Sequence, residues 1–489
     1  MSVLFEGRVT AADRARDPYL ELPFDVPPGT TRLTLRYRHD AGSVLDLGLF
    51  DPAIGPFPSE RGFRGWSGGA RDQVVVAEDH ATPGYLPGPL PAGRWRVVLG
   101  LAAVASTGCT YRVEVDVDAA DGDADADRAS ARPSPAATPG RTRRTGPGWY
   151  RGDLQSHTHH SDARGSLDDL RSAALARGLD FLAVTDHNTV SHHAPIAALG
   201  DDELLWVPGT EVTTYRGHAN VWGVAGWVDF RIRSDADLVA LVRHVHERGG
   251  LLSVNHPKTA PGCIGCDWSY PFPVGIDALE AWQGPWPQRN WESLERYDAL
   301  LHAGRRVTLV GGSDRHQPPQ PDSDPAALQV GSPTTWLHLR ERSLAGVLDA
   351  LRRGAASVSE GPEGPFLEIE VDGAPMGSHL EPAAAHRASA RVTGADGETL
   401  RWVGAGGAVR EVAITGDAFE DVWRFASDGP FLRAEVIAAA SLGERLAAVR
   451  SVATTRGLPA GLDVDTIALH PYRLALSNPV TFGAQAPSP

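Results

Sequence analysis

The chain has 489 residues, a formal net charge of -15 and 3 cysteines. That length implies about two to four domains of ~100–200 residues. The acid excess argues against a protein that coats nucleic acid, and the cysteines are too few for a disulfide framework. No apolar run approaches the ~20 residues that cross a bilayer, and Met1 to Glu6 lacks the basic-then-apolar pattern of a secretory leader. The expectation is a cytoplasmic protein with no membrane partner.

Residues 1–118 read as an N-terminal β-sandwich. Arg32 to Arg38, Trp95 to Leu99 and Tyr111 to Val117 alternate with period two, and Pro27-Pro28-Gly29 and Pro91-Ala92-Gly93 punctuate them. Residues 119–148 read as a disordered linker. Asp121 to Asp127 is acidic and nearly free of large apolar groups, and Arg132 to Gly140 cannot build a core.

From 149 to 362 strands alternate with helices. Ser166 and Asp169 predict a capping box for a helix over Leu167–Arg177, ended by Gly178. Leu179 to Thr185 is then a buried strand, and Leu204 to Thr210 the next. Ser234 caps a helix running to Arg248, ahead of strand Leu251 to Val254. A helix over Asn290–His302 leads into strand Arg306 to Val310, and Ser343 starts another that ends at Gly354. This alternation implies parallel strands with helical crossovers, as in a barrel of about seven units, whose chemistry gathers at the strand ends.

Polar clusters sit at those ends. The first is Gly152-Asp153-Leu154-Gln155-Ser156-His157-Thr158-His159-His160-Ser161-Asp162. Asp186-His187, Glu211, His218, Asn255-His256-Pro257-Lys258 and Ser313-Asp314-Arg315-His316 follow. Imidazole and carboxylate converging on one rim point to a divalent metal. Residues 363–489 return to strand-like alternation at Phe366 to Val371, Ala388 to Thr393 and Leu432 to Ile437, and read as a C-terminal β-domain with a short tail.

These stretches, with Val184-Thr185-Asp186-His187-Asn188, Pro208-Gly209-Thr210-Glu211-Val212 and Gly217-His218-Ala219, resemble the PHP (polymerase and histidinol phosphatase) superfamily, in its CehA/McbA branch. The resemblance covers the central domain. It implies an α/β distorted (β/α)7-type barrel, here flanked by N-terminal and C-terminal β-sandwich-like domains. It also implies two or three divalent ions (Zn, Mn or Fe). His157, Glu211 and Asp314 would hold a first ion. Glu211 would bridge to a second held by His218 and His256, and Asp162, His187 and His316 would hold a third. One departure stands out. The family's first motif is His-x-His, and its first histidine falls on Gln155, whose neutral amide oxygen suits harder ions better than zinc. A second register would instead pair His157 with His159.

The expected activity is metal-dependent hydrolysis of a small anionic substrate, with phosphoesters first. A hydroxide shared by two ions would attack phosphorus, and Lys258 and Arg315 would serve catalysis by neutralising the anion. A carboxylester or carbamate hydrolase is the alternative, and an inactive scaffold with a degraded metal site a third. Cys263-Ile264-Gly265-Cys266 reads as a pair of reduced thiols, and Trp282 and Trp286 as walls of a substrate pocket.

Overall fold

The computed structural model describes residues 1–119, 145–200, 203–258, 266–316, 329–456 and 462–483. Most of the expected linker and Cys263 lie outside them. The first strands are β1 (Ser2–Val9), β2 (Tyr19–Val26), β3 (Thr30–His39), β4 (Val44–Phe50), β5 (Phe63–Gly68), β6 (Gln73–Ala77), β7 (Gly93–Ala103) and β8 (Cys109–Ala119). Helix α1 (Ala11–Arg16) joins the first two. They form two four-stranded antiparallel sheets, ordered β1-β8-β3-β6 and β2-β7-β4-β5. The period-two runs turn Leu33, Leu35, Val97 and Val113 inward, so both sheets share one apolar core.

Next come β9 (Gly148–Asp153), α2 (Leu167–Ala176), β10 (Phe181–Val184), α3 (His193–Leu199), β11 (Leu205–Thr214), β12 (Gly217–Trp222), α4 (Asp235–Glu247) and β13 (Leu251–Val254). They continue as β14 (Ala278–Gln283), α5 (Asn290–His302), β15 (Thr308–Gly312), β16 (Thr334–Leu339), α6 (Leu344–Arg352) and β17 (Ala356–Ser359). The capping box is present: Ser166 N donates to Asp169 Oδ2 at 2.9 Å and Asp169 N to Ser166 Oγ at 3.1 Å. The strand order is β15-β14-β13-β12-β11-β10-β9-β16-β17.

The sheet is mixed rather than all-parallel. Tyr215 and Arg216 are all that separate β11 from β12, so the two must pair antiparallel, and β12 pairs antiparallel with β13 as well. β16 also runs antiparallel to β9. The backbone ladder does not run from β15 to β16. Thr335 ties them instead: its hydroxyl accepts from Gly311 N at 2.9 Å and donates to Gly311 O at 2.7 Å.

The remaining elements are β18 (Phe366–Val371), β19 (Ala374–Pro375), β20 (His379–Leu380), β21 (His386–Thr393), β22 (Thr399–Gly404), β23 (Gly407–Ala413), β24 (Ala418–Phe425), β25 (Phe431–Ile437), α7 (Leu442–Arg456), α8 (Val464–Leu469), β26 (Arg473–Ser477) and β27 (Val480–Phe482). The large sheet runs on from β17 through β26, β25, β22 and β23, while β19-β18-β21-β24 forms a separate layer. Helix α7 interrupts the expected β composition. Its signal is Ser441 and Glu444, whose side chains and backbones satisfy each other as a capping box.

The N-terminal sheets lean on the rim of the mixed sheet. Tyr19 Oη donates to Phe230 O at 3.1 Å, and Phe63 stacks on Trp227 with centroids 4.8 Å apart. Gly84, at φ +100°, passes between them, since a Cβ there would lie 2.8 Å from Trp66 O and 3.0 Å from His160 O. Its N–H donates to Ser191 Oγ at 3.0 Å and its carbonyl accepts from Thr189 Oγ1 at 2.8 Å.

Candidate metal centre

The polar clusters at the strand ends meet at one place. Two ligand candidates are held in left-handed backbone, His256 at φ +28° and Asp314 at φ +51°, and so is Asn188 at φ +56°. Non-glycine residues adopt that region at a cost, which surrounding structure must offset, and such residues gather at functional sites.

Glu211 is wholly buried at the centre. Its Oε2 lies 3.0 Å from His187 Nδ1 and 3.5 Å from His157 Nε2. Its Oε1 lies 3.5 Å from His218 Nδ1 and 3.4 Å from His256 Nε2. Asp314 Oδ1 is 2.9 Å from His157 Nε2. Around Asp162 Oδ1 stand His187 Nε2 at 3.6 Å and His316 Nε2 at 3.4 Å, and the two nitrogens are 3.2 Å apart. Bonds of about 2.1 Å to a four-coordinate ion put its ligand atoms about 3.4 Å apart. The Asp162–His187–His316 atoms have that spacing, and so do the contacts of Glu211 with His218 and His256. His157, Glu211 and Asp314 make a third group with ligand atoms within 4.8 Å of one another.

The neighbours of the histidines fix which nitrogen faces inward. His187 Nδ1 is 2.6 Å from Thr213 Oγ1, His316 Nδ1 is 2.8 Å from Asp314 O, and His256 Nδ1 is 3.2 Å from Cys266 O. His256 and His316 so turn Nε2 to Glu211 and Asp162, while His187 presents Nδ1 to Glu211 and Nε2 to Asp162, and such outer partners orient metal ligands. Glu211 Oε2, His157 Nδ1, His218 Nε2 and Gln155 Oε1 are buried without a hydrogen-bond partner. Buried polar atoms left over in a cluster of this composition fit a bound cation.

The electrostatics agree. Burial opposes charge on His187, but Asp162 and Glu211 outweigh it and raise its pKa to about 9. Burial is likewise outweighed at His316 by Asp314 and Asp162, which raise it to about 10. Burial would raise Glu211, yet His187 and the hydrogen bonds from its neighbours hold it well below the usual carboxylate range. His157 and His218 are pushed down by burial.

The side chains of Gln155, His157, Asp162, His187, Glu211, His218, His256, Asp314 and His316 thus lie together. His159 does not join them: its Nδ1 faces Gly165 O at 3.3 Å and its carbonyl accepts from Arg71 Nη2 at 2.6 Å. Lys258 does reach the site. Its Nζ donates to Gln283 Oε1 at 2.6 Å, and Gln283 Nε2 donates to Asp314 Oδ2 at 2.6 Å. Burial lowers Lys258 to about 8 against the pull of Glu280 and Asp314. Arg315 is placed differently. Its guanidinium is buried, and burial lowers its pKa against the pull of Asp153 and Asp169.

Three further corrections concern neighbours. Cys266 is disulfide-bonded, not a reduced thiol. Trp282 and Trp286 pack edge to face in the core, with centroids 5.0 Å apart, as core residues rather than the pocket walls expected. Glu280 was overlooked. It is buried, its Oε2 accepts from His256 N at 3.0 Å, and burial beside Asp314 and Glu211 raises its pKa well above the usual range. The signal was a lone acid in the apolar run Ala278 to Gln283.

The geometry defines a His/carboxylate cluster able to hold divalent ions. No protein-family model and no curated protein matches the chain. Among solved structures it is similar to a two-domain protein from Bacteroides vulgatus containing a predicted PHP-like metal-dependent phosphoesterase, at 17% identity and a TM-score of 0.39, covering 70% of this chain and 99% of that one. It is also similar to an amidohydrolase from Chromobacterium violaceum, at 14% identity and a TM-score of 0.25, covering 41% of this chain and 96% of that one. No helix among the described residues is long and apolar enough to cross a membrane.

Proposed function

We propose that the chain is a metal-dependent hydrolase of the PHP kind, resembling the CehA/McbA branch, with its strand ends arranged as the rim of a distorted barrel, and that it cleaves phosphoesters. The observation that carries this reading is Glu211, a buried carboxylate whose two oxygens face nitrogens of four histidines at 3.0 to 3.5 Å. A buried acid so placed is compensated best by cations. The ions, when bound, supply Lewis-acid polarisation of a phosphoryl oxygen and an activated water.

The chain's own groups do the rest. Glu211, His218 and His256 would hold one ion, and Asp162, His187 and His316 another. His157, with Glu211 and Asp314, forms the remaining set. Thr213 and the Asp314 carbonyl keep the two imidazoles of the Asp162 set turned inward. Lys258, anchored by Gln283, brings a cationic head beside Asp314 to meet an anionic substrate.

Carboxylester or carbamate hydrolysis is the second reading, and Arg315 favours it. With that guanidinium buried under the pull of Asp153 and Asp169, Lys258 is the cation this reading leaves at the cleft, which suits an uncharged carbonyl better than a phosphate dianion. The full chain, stripped by chelation and reloaded with Mn or Zn, should be assayed on phosphomonoesters, phosphodiesters, carboxylesters and aryl carbamates. Metal-restored phosphoester turnover is the expected result. Turnover of carbonyl substrates alone would replace it with the second reading, and no turnover by fully loaded protein would sink both.

A further inference from the structure

Strand β4 changes character along the side it turns to the rim. Leu45, Leu47 and Leu49 point into the core between the two N-terminal sheets, so Asp46, Gly48 and Phe50 face the other way. Phe50 packs on Trp227 with centroids 5.7 Å apart, and Gly48 lies against Trp66, which meets Phe230 edge to face at 4.5 Å. Asp46 comes next on that side, where the apolar contact ends and Val44 is exposed. Its cross-strand partner on β7 is Gly100, and on β5 a Cβ added to Gly68 would lie 3.7 Å from Asp46 Oδ1. Glycine on both neighbouring strands leaves the carboxylate open rather than packed under side chains.

This side of the N-terminal sheets meets both segments that carry candidate ligands. Arg71 Nη2 donates to His159 O, between His157 and Asp162, and Asp46 Oδ2 accepts from Tyr215 Oη at 2.7 Å, between Glu211 and His218. The charges of His187 and Asp162 act on Asp46, whereas those of Glu280 and Asp314 act on Lys258. An acid and a cation thus flank different parts of the cluster. Tyr215 uses one carboxylate oxygen. Oδ1 accepts no hydrogen bond and Asp46 forms no ion pair among the described residues. Burial raises its pKa to about 6 against the Tyr215 hydroxyl and the charge of His187. A neutral acceptor would hold a tyrosine hydroxyl equally well. A half-buried carboxylate with a spare oxygen costs more, and a cation offsets that cost.

We propose that the N-terminal sheets form one wall of the substrate cleft, and that Asp46 contacts substrate there by receiving an ammonium group carried on the alcohol part of a phosphoester. This rests on the phosphoester reading above and narrows its substrate to a zwitterion. Lys258 meets the phosphoryl side and Asp46 the ammonium side, so the two charges also fix which way round the ester lies.

The test compares aminoethyl phosphate with propyl phosphate, esters of equal length that differ in the ammonium, on the metal-loaded full chain. The wild type should favour the aminoethyl ester by about tenfold or more in kcat/KM, through KM, as one charge-assisted contact gives. Asp46→Asn keeps an acceptor for Tyr215 and removes the charge, and it should bring the ratio of the two esters near one. Tyr215→Phe removes the clamp and keeps the acid, so the preference should survive in it. A role confined to the clamp would instead slow both esters alike. No preference in the wild type, or a preference that persists in Asp46→Asn, would overturn the proposal and leave the metal-dependent reading intact. No turnover of either ester by fully loaded wild type would overturn the phosphoester reading with it.

Discussion

Tyr215 Oη donates to Asp46 Oδ2 across 2.7 Å, joining residues 169 apart in sequence. Asp46 lies on β4 of the N-terminal sheets, and Tyr215 sits in the turn between β11 and β12, beside Glu211 and His218. The N-terminal sheets therefore clamp the hairpin that carries two candidate ligands. A Cβ on Gly100 would sit 2.0 Å from the Tyr215 hydroxyl, so β7 must carry glycine where that side chain passes. Tyr215→Phe leaves Asp46 without its donor and is expected to cost about 1–3 kcal/mol, the range for a hydrogen bond to a charged group. Denaturant unfolding of the metal-free protein would measure it, and a change within about 0.5 kcal/mol would remove the clamp from the account.

Glu211→Gln keeps the shape of the central residue and removes its charge. Both ions next to it should be lost, because its oxygens face nitrogens of both histidine groups. Asp162→Asn should be milder, since the Asp162 side chain is half exposed and serves only the His187–His316 set. Full metal content in an active Glu211→Gln protein would end the claim that Glu211 is shared.

Metal loading should release protons. In the metal-free protein the acids raise His187 and His316 to about 9 and 10, so the pair carries excess protons at neutral pH, and a ligand imidazole must be neutral. About one to two protons should leave at about pH 7, and affinity at this set should climb by about ten- to a hundredfold per pH unit until about pH 9. Both values lie above the ordinary ~6.5 of histidine. Their contribution to the stability of the metal-free protein is therefore full below ~6.5 and lost as pH rises through about 9 and 10. Calorimetric titration in buffers of different ionisation enthalpy counts the protons, and a count near zero would contradict these assignments.

The two basic residues at the site should separate cleanly. Lys258→Met should raise KM for a phosphoester by about tenfold or more, the loss of one charge-assisted contact. Arg315→Met should leave KM alone and lower stability, because its guanidinium is buried within the pull of Asp153 and Asp169. Equal KM effects for the two would show that Arg315 reaches substrate after all.

Gly84→Ala is a test of how the sheets meet. The added Cβ would press on Trp66 O and His160 O at 2.8 and 3.0 Å in a backbone at φ +100°. A loss of about 1–3 kcal/mol is expected, and thermal unfolding would read it. A neutral Gly84→Ala would mean that the contact yields without strain.

Much of the site was legible in the chain. Helix caps such as Ser166 with Asp169 are local chemistry, and local chemistry is written in neighbouring residues. The candidate ligands could be picked out because a strand that ends in His, Asp or Glu after an apolar run spends polarity where packing does not need it. Glu280 shows the same signal in a weaker form, one acid inside a buried strand. What local pattern could not supply was partnership. That Gln155 turns its N–H toward Glu211 and Asp314, that Arg315 is buried while its neighbours face the cluster, that β12 returns antiparallel, and that Asp46 reaches Tyr215 all depend on strands distant in sequence arriving side by side. Residue type and spacing determined which groups can bind metal. Only the packed sheet decided which end of an amide, and which face of a strand, each acid meets, because a hydrogen bond acts over about 3 Å and periodicity carries no information about what lies across that gap.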